Sequence, residues 1–325
     1  MSRTADKLIS LGYGVGWSAA RVLPAGAAYR IADTAAGLAM SRRGPAVVQY
    51  AKNLRRVLGP GATPHRLREA TAAGLRSYAR YWLETFRLPW MDRNDVAERC
   101  SAESHGMEYL AAGVSSGRGV VAVLPHSGNW DVAGMWLAKQ YGSLTSVAER
   151  LEPDSLYRRF LTFRQSLGME ILPLTGGATP ASAVLKDRLR AGGIVCLMGD
   201  RDLTASGVPV TFFGEPTRMP AGPAMLAAVT GADLCAVHLS FSQQGNERGW
   251  RTDVSPPIEL AGARLAEQVR LGTRALAAQF ERDIAGRPAD WHMLQPLWVA
   301  DLPPGHAART TTDPPGPADP DRASA

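Results

Sequence analysis

Val120-Val-Ala-Val-Leu124, running straight into Pro125-His126-Ser-Gly-Asn-Trp-Asp131, is the stretch on which the fold turns. Five consecutive apolar residues, three of them valine, leave no polar face for water, so this strand belongs inside a sheet covered on both sides. Proline and small polar residues then break the run, and residues 130–140 resume at helical spacing. The same alternation recurs downstream. Strands are expected at 119–124, 144–147, 170–174, 193–197, 208–213 and 234–241, with helices at 130–140, 153–167, 181–190 and 221–230. This predicts an α/β fold with a largely parallel central sheet flanked by helices.

Upstream the pattern is helical. Over 64–88 the apolar residues Leu75, Tyr78, Trp82 and Phe86 recur at three- and four-residue intervals, while Arg68, Arg76, Arg80 and Glu84 occupy other faces. Three regions follow: an N-terminal helical, membrane-associating region over 1–95, an α/β core over 96–300, and a disordered Pro-rich tail over 301–325.

A 325-residue chain with 45% hydrophobic content can bury a sizeable core. Cys100, Cys196 and Cys235 are odd in number and lack a CxxC spacing, so neither a zinc ribbon nor a disulfide framework is supported and a reducing compartment fits best. Net charge is +6, and only four of the 36 basic residues are lysine. Guanidinium suits phosphate contacts, hence an anionic membrane or a phosphorylated co-substrate. Codon usage in a GC-rich genome explains the same bias. The arginines are dispersed and not interleaved with aromatics, so no nucleic-acid partner is expected. No secretory leader is evident. The apolar stretch 8–20 is broken by glycine and serine and followed by Arg21, so it predicts a helix lying in the membrane interface, or ordinary core, and not a spanning segment.

The chemistry centres on His126. In open α/β sheets ligands bind beyond the carboxyl ends of strands, which is where the 119–124 strand delivers this histidine. A general base must be held in one tautomer with its other nitrogen facing substrate, and Asp131, five positions on, can fold back to hold it. The alternative is a satisfied core histidine beside a helix-capping aspartate. The chain has no P-loop, and its other histidines show no metal-ligand spacing.

His126-x-x-x-x-Asp131 after an apolar strand resembles the HX4D motif of glycerolipid acyltransferases, and His-Ser-Gly-Asn-Trp-Asp is similar to the version in the bacterial lipid A acyltransferase family. Ser146-Val-Ala-Glu-Arg150 with 157–164, Gly199-Asp-Arg-Asp202 with Gly207-Val-Pro-Val-Thr-Phe-Phe-Gly214, and the closing 288–298 segment resemble later blocks of that family, in order. The Arg- and Ala-rich character and the run 199–220 look most like its actinobacterial branch that acylates phosphatidylinositol mannosides.

The resemblance implies transfer of a fatty acyl group, typically palmitoyl, from acyl-CoA to a mannose hydroxyl of that glycolipid acceptor. It places the enzyme peripherally on the cytoplasmic face of the membrane, against the anionic inner leaflet. It implies acyl-CoA as co-substrate, no bound cofactor and no metal. His126 would be the base and Asp131 its orienting carboxylate, with the oxyanion donor either Arg164, unless that is a solvated helix residue, or backbone N–H groups near Ser127. Asp200 and Asp202 would share the site edge, binding sugar hydroxyls or making a second contact to the imidazole; a Gly-Asp-Arg-Asp turn is the alternative. Glu149, Arg201 and Ser206 follow from the same blocks as substrate contacts. Arg158, Arg159, Arg188, Arg190 and Arg218 are candidates for phosphates. Acylation of another glycolipid or a lysophospholipid, and a non-catalytic anionic-lipid-binding module, are the competing functions.

Overall fold

The computed structural model describes residues 22–149, 154–176, 179–202, 206–244 and 247–302. The expected interfacial stretch 8–20 and residues 303–325 of the expected tail lie outside them. The described chain opens with helices α1 (Ala25–Arg42), α2 (Pro45–Leu58) and α3 (Pro64–Arg87). Helix α3 starts where it does because Thr63 accepts a hydrogen bond from the Arg66 N–H at 3.2 Å and Pro64 takes a first-turn position whose missing N–H costs nothing. Its buried stripe is partly polar: Leu75 is joined by Ser77, Tyr81, Glu84 and Thr85. Tyr78, Trp82 and Phe86, expected on the buried face, are only half-buried and form an aromatic ladder beside it, with ring centroids 6.1 and 5.7 Å apart.

Helices α4 (Arg93–Ala102), which runs through the expected boundary at 95, and α5 (Met107–Ser115) lead into the core. There β1 (Val120–Leu124), α6 (Trp130–Tyr141), β2 (Leu144–Ala148), α7 (Asp154–Ser166), β3 (Met169–Pro173), α8 (Ala181–Arg190) and β4 (Ile194–Met198) alternate. A hairpin of β5 (Val208–Phe212) and β6 (Glu215–Met219) follows, then α9 (Gly222–Thr230), β7 (Asp233–Gln244), β8 (Glu247–Val254) and α10 (Leu265–Gly286). The strand order is β3-β2-β4-β1-β7-β8, parallel except for the β7–β8 pair. All five β1 side chains are buried, as a central strand requires.

One face of the sheet packs against α4 to α7, with Leu124, Trp136 and Phe160 in that layer. The other packs against α8 to α10 and the hairpin, around Phe212, Phe280, Trp291 and Trp298. The expected strand at 208–213 forms outside the main sheet: Phe212 stacks on Trp298 at 5.8 Å, and the hairpin is held to the 291–298 segment. Elements β6, β8, α4, α5 and α10 go beyond the sequence expectation.

Candidate active site

Leaving β1, the chain makes a tight loop pinned from both sides. Gly128 has φ +56°, and a Cβ there would lie 2.6 Å from the Leu239 carbonyl carbon, so the loop reaches β7 only because this residue has no side chain. Ser127 Oγ accepts the Leu239 N–H at 3.3 Å. Opposite, Gly128 N–H donates to Asp290 O at 2.9 Å and His292 N–H to His126 O at 2.7 Å. Asn129 then caps α6 by accepting the Val132 N–H. The main chain on either side of His126 is thereby fixed, which sets where the imidazole can point.

His126 Nδ1 lies 2.6 Å from Asp200 Oδ1, while Asp200 Oδ2 accepts the His126 backbone N–H and the Trp291 Nε1–H, each at 2.9 Å. Asp200 comes from the end of β4, next to β1 in the sheet, and is fully buried. Burial pushes its pKa up, but the imidazole's charge and hydrogen bond, the indole N–H and the backbone N–H outweigh it, and the carboxyl is held below its ordinary value. Burial likewise pulls the His126 pKa down. Asp200 raises it by more, against a lowering by Arg201, so the imidazole titrates above its ordinary value. With Asp200 ionised, Nδ1 carries the proton and Nε2 is left as the free base nitrogen of a side chain 41% exposed.

Asp131 is not the orienting carboxylate that the sequence suggested. As the second residue of α6 it tilts back toward α3 and α7, away from the strand ends. There it is fully buried, accepting Arg164 Nε–H at 3.0 Å, Thr85 Oγ1–H at 3.3 Å and Tyr81 O–H at 3.4 Å. Arg164, whose Nε–H makes the first of these bonds, stacks over Trp130 at 3.9 Å, which places it beside Asp131 and the indole. Ser127 and Gly128 give their backbone N–H groups to Pro125 and Asp290, which removes those donors.

The other expected contacts are scattered. Arg201 is half-buried beside the imidazole, whereas Glu149 is exposed just past β2 and Ser206 is exposed before β5. Asp202 braces its own loop by accepting the Gly207 N–H at 2.7 Å. Arg188 and Arg190 end α8, which runs antiparallel to the strand it precedes, and so sit at the amino edge of the sheet, opposite His126; Arg188 pairs there with Glu170. Arg158 pairs with Asp154 on an exposed helix face, Arg159 is exposed, and Arg218 donates to Gly207 O at 2.6 Å.

Two buried groups on α3 escaped the sequence reading. Glu84 accepts from Arg80 Nε–H at 2.6 Å, Trp250 Nε1–H at 2.7 Å, Tyr29 O–H at 2.9 Å and Asn129 Nδ2–H at 3.1 Å, tying α1 and α3 to the cap of α6. Ser77 donates to Asp290 Oδ1 at 2.7 Å and accepts from His292 Nε2 at 2.8 Å. Burial and nearby His126 push the His292 pKa down to about 3, so it stays neutral.

Between α6 and the sheet lies a narrow apolar slot with a cavity of about 30 Å³, with Trp130, Leu124 and Leu239 at the His126 end and Gly134, Cys196 and Met169 deeper in. Burial pushes the Cys196 thiol up to about 12, so it is no nucleophile at neutral pH. No cluster of His, Cys, Asp or Glu suited to a metal occurs among the described residues. The arrangement is therefore an oriented imidazole, with its second nitrogen outward, close to a narrow apolar slot.

Comparison with known proteins agrees with this chemistry. The phosphatidylinositol mannoside acyltransferase of Mycobacterium tuberculosis is 49% identical over 292 residues, covering 89% of this chain and 88% of that protein. The phosphatidylinositol mannoside acyltransferase of Mycolicibacterium smegmatis is 47% identical over 308 residues, covering 94% and 96%. Residues 2–300 match the sequence model of bacterial lipid A biosynthesis acyltransferases, and with these relatives the match shows that the chain belongs to that family of acyltransferases acting on glycolipids.

Proposed function

We propose that the protein transfers a fatty acyl group, palmitoyl by preference, from acyl-CoA directly to a mannose hydroxyl of a phosphatidylinositol mannoside. The observation that carries this reading is the His126–Asp200 pair, with His126 two residues beyond Leu124, which lines the apolar slot. His126 Nε2 takes the proton of the acceptor hydroxyl as its oxygen attacks the thioester carbonyl, and Asp200 stabilises the imidazolium that forms. Collapse of the tetrahedral intermediate breaks the C–S bond, and the imidazolium returns the proton to the departing thiolate. No acyl-enzyme is needed. Ahead of the Val132 N–H that Asn129 takes, the Trp130 and Asp131 N–H groups open α6 four and five residues after His126 and are the donors best placed by sequence for the oxyanion. The names and the identity of the two mycobacterial relatives support the mannosylated acceptor.

We place the reaction on the cytoplasmic membrane surface, with the protein bound peripherally to anionic lipid. No helix among the described residues is long and apolar enough to cross a membrane. Ile31, Leu38 and Val48 are exposed on α1 and α2 amid exposed Arg30, Arg42 and Arg43, a combination suited to an anionic interface. Incubating the purified chain with palmitoyl-CoA and phosphatidylinositol mannosides should release thiol in step with acylated glycolipid. Thiol release that ignores the acceptor would make the enzyme a hydrolase, and no transfer to any mannosylated lipid would overturn the acceptor assignment.

A further inference from the structure

The slot has a definite far end. The sheet register sets Ala122 level with Cys196, Ser146 and Ile171, so Met169 on β3, the edge strand, lies three strands over and four residues below Leu124. Strand spacings of about 4.8 Å and rises of about 3.3 Å per residue make that diagonal about 19 Å. A palmitoyl chain in a staggered zigzag of C–C bonds of about 1.5 Å also extends about 19 Å. At the end of this path the Met169 sulfur fills the dent left by Gly134 on α6, where any Cβ would overlap it. Met169 is only 4% exposed, and the chain behind it is closed by Leu167, 2% exposed, and by Gly168, whose Cβ position lies 3.2 Å from Ala138 Cβ. Of this wall, the unbranched methionine is the side chain that rearranges most readily without moving backbone.

We infer that Met169, seated on Gly134, is the end stop of the slot and sets the longest acyl chain the enzyme transfers efficiently. The inference rests on the slot being the acyl site of the proposed reaction. A chain that stops short of Met169 leaves a void, and a longer one must displace the methionine side chain.

The test compares kcat/KM for lauroyl-, myristoyl-, palmitoyl-, stearoyl- and arachidoyl-CoA, with phosphatidylinositol mannoside as acceptor, in the wild-type chain, Met169→Ala and Gly134→Ala. Met169→Ala should raise the stearoyl-to-palmitoyl ratio about tenfold or more. Gly134→Ala should drive the sulfur into the slot and raise the myristoyl-to-palmitoyl ratio by a comparable factor. All thioesters falling or rising together in a folded variant, with these ratios unchanged, overturns the end stop. If one variant does not fold, the ratio in the other decides. A wild-type chain that transfers none of the thioesters defeats the proposed function itself, and the end stop falls with it.

Discussion

At the scale of the residue, the two carboxylates near His126 do different work, and substitution separates them. The base needs a neutral imidazole, and Asp200 raises the His126 pKa. The rate should therefore rise with pH through an inflection above the ordinary imidazole value of about 6.5. In Asp200→Asn only burial and Arg201 act on the ring, both lowering its pKa, so the inflection should move to lower pH. The plateau of kcat should fall about 10³- to 10⁴-fold, because an amide does not fix the tautomer or stabilise the imidazolium. Asp131→Ala should behave otherwise. It leaves Arg164, with only 12% of its side chain exposed, without its buried partner. The cost is about 3–5 kcal/mol, seen as a fall in melting temperature of roughly 10 °C by calorimetry, with activity lost in parallel. The base was legible because an apolar strand delivers it to a rim. Asp200 came only from the resemblance, as a sugar-hydroxyl ligand or a second contact to the imidazole, because it is 74 positions away and the β1–β4 pairing is what brings it near, whereas Asp131 was close in sequence and pointed elsewhere.

At the scale of the element, α3 is a wall of the site built from polar residues. An amphipathic reading takes Glu84 for the solvated face, yet it is fully buried with donors from α1, from α3 itself, from the motif loop and from β8. Such a stripe carries no hydrophobic periodicity, so only the partners reveal it. Glu84→Ala should strand those donors and cost about 3–5 kcal/mol in urea unfolding, with the loss of the Asn129 contact lowering kcat as well. A smaller effect than that of an exposed carboxylate such as Glu69→Ala would refute its bracing role. The same limit explains the unread strands. Strand β8 turns Trp250, Thr252 and Val254 inward but carries Arg248, Arg251 and Asp253 among them, and β6 holds Pro216 and Arg218 in a hairpin away from the main sheet. Helix α10 does show Val269, Leu276, Phe280 and Ile284 at helical spacing, diluted by alanine and by Gly272. The central parallel strands were readable since burial on both faces leaves continuous apolar runs.

At the scale of the whole molecule, the groups proposed for catalysis and for membrane binding lie on separate elements and should come apart under mutation. His126→Ala should abolish turnover while leaving affinity for anionic vesicles intact, since the imidazole lies at the sheet rim and the exposed apolar residues lie on α1 and α2. An anionic-lipid-binding module would lose nothing by that change. The converse variant carries more weight. Ile31 and Leu38 are 55% and 49% exposed and seven residues apart, two turns along one face of α1. Burying an aliphatic side chain contributes about 1.5–3 kcal/mol relative to leaving it in water, so aspartate at both positions should weaken vesicle binding by about 100-fold or more. Added negative charge opposes docking further, and that part should shrink at high salt. Because both side chains are exposed on α1, the double variant should keep its melting temperature and its rate on acceptor dispersed in detergent, while losing rate on acceptor embedded in vesicles. Equal losses in detergent and in vesicles would mean that this face supports the fold and is not where the enzyme meets the bilayer.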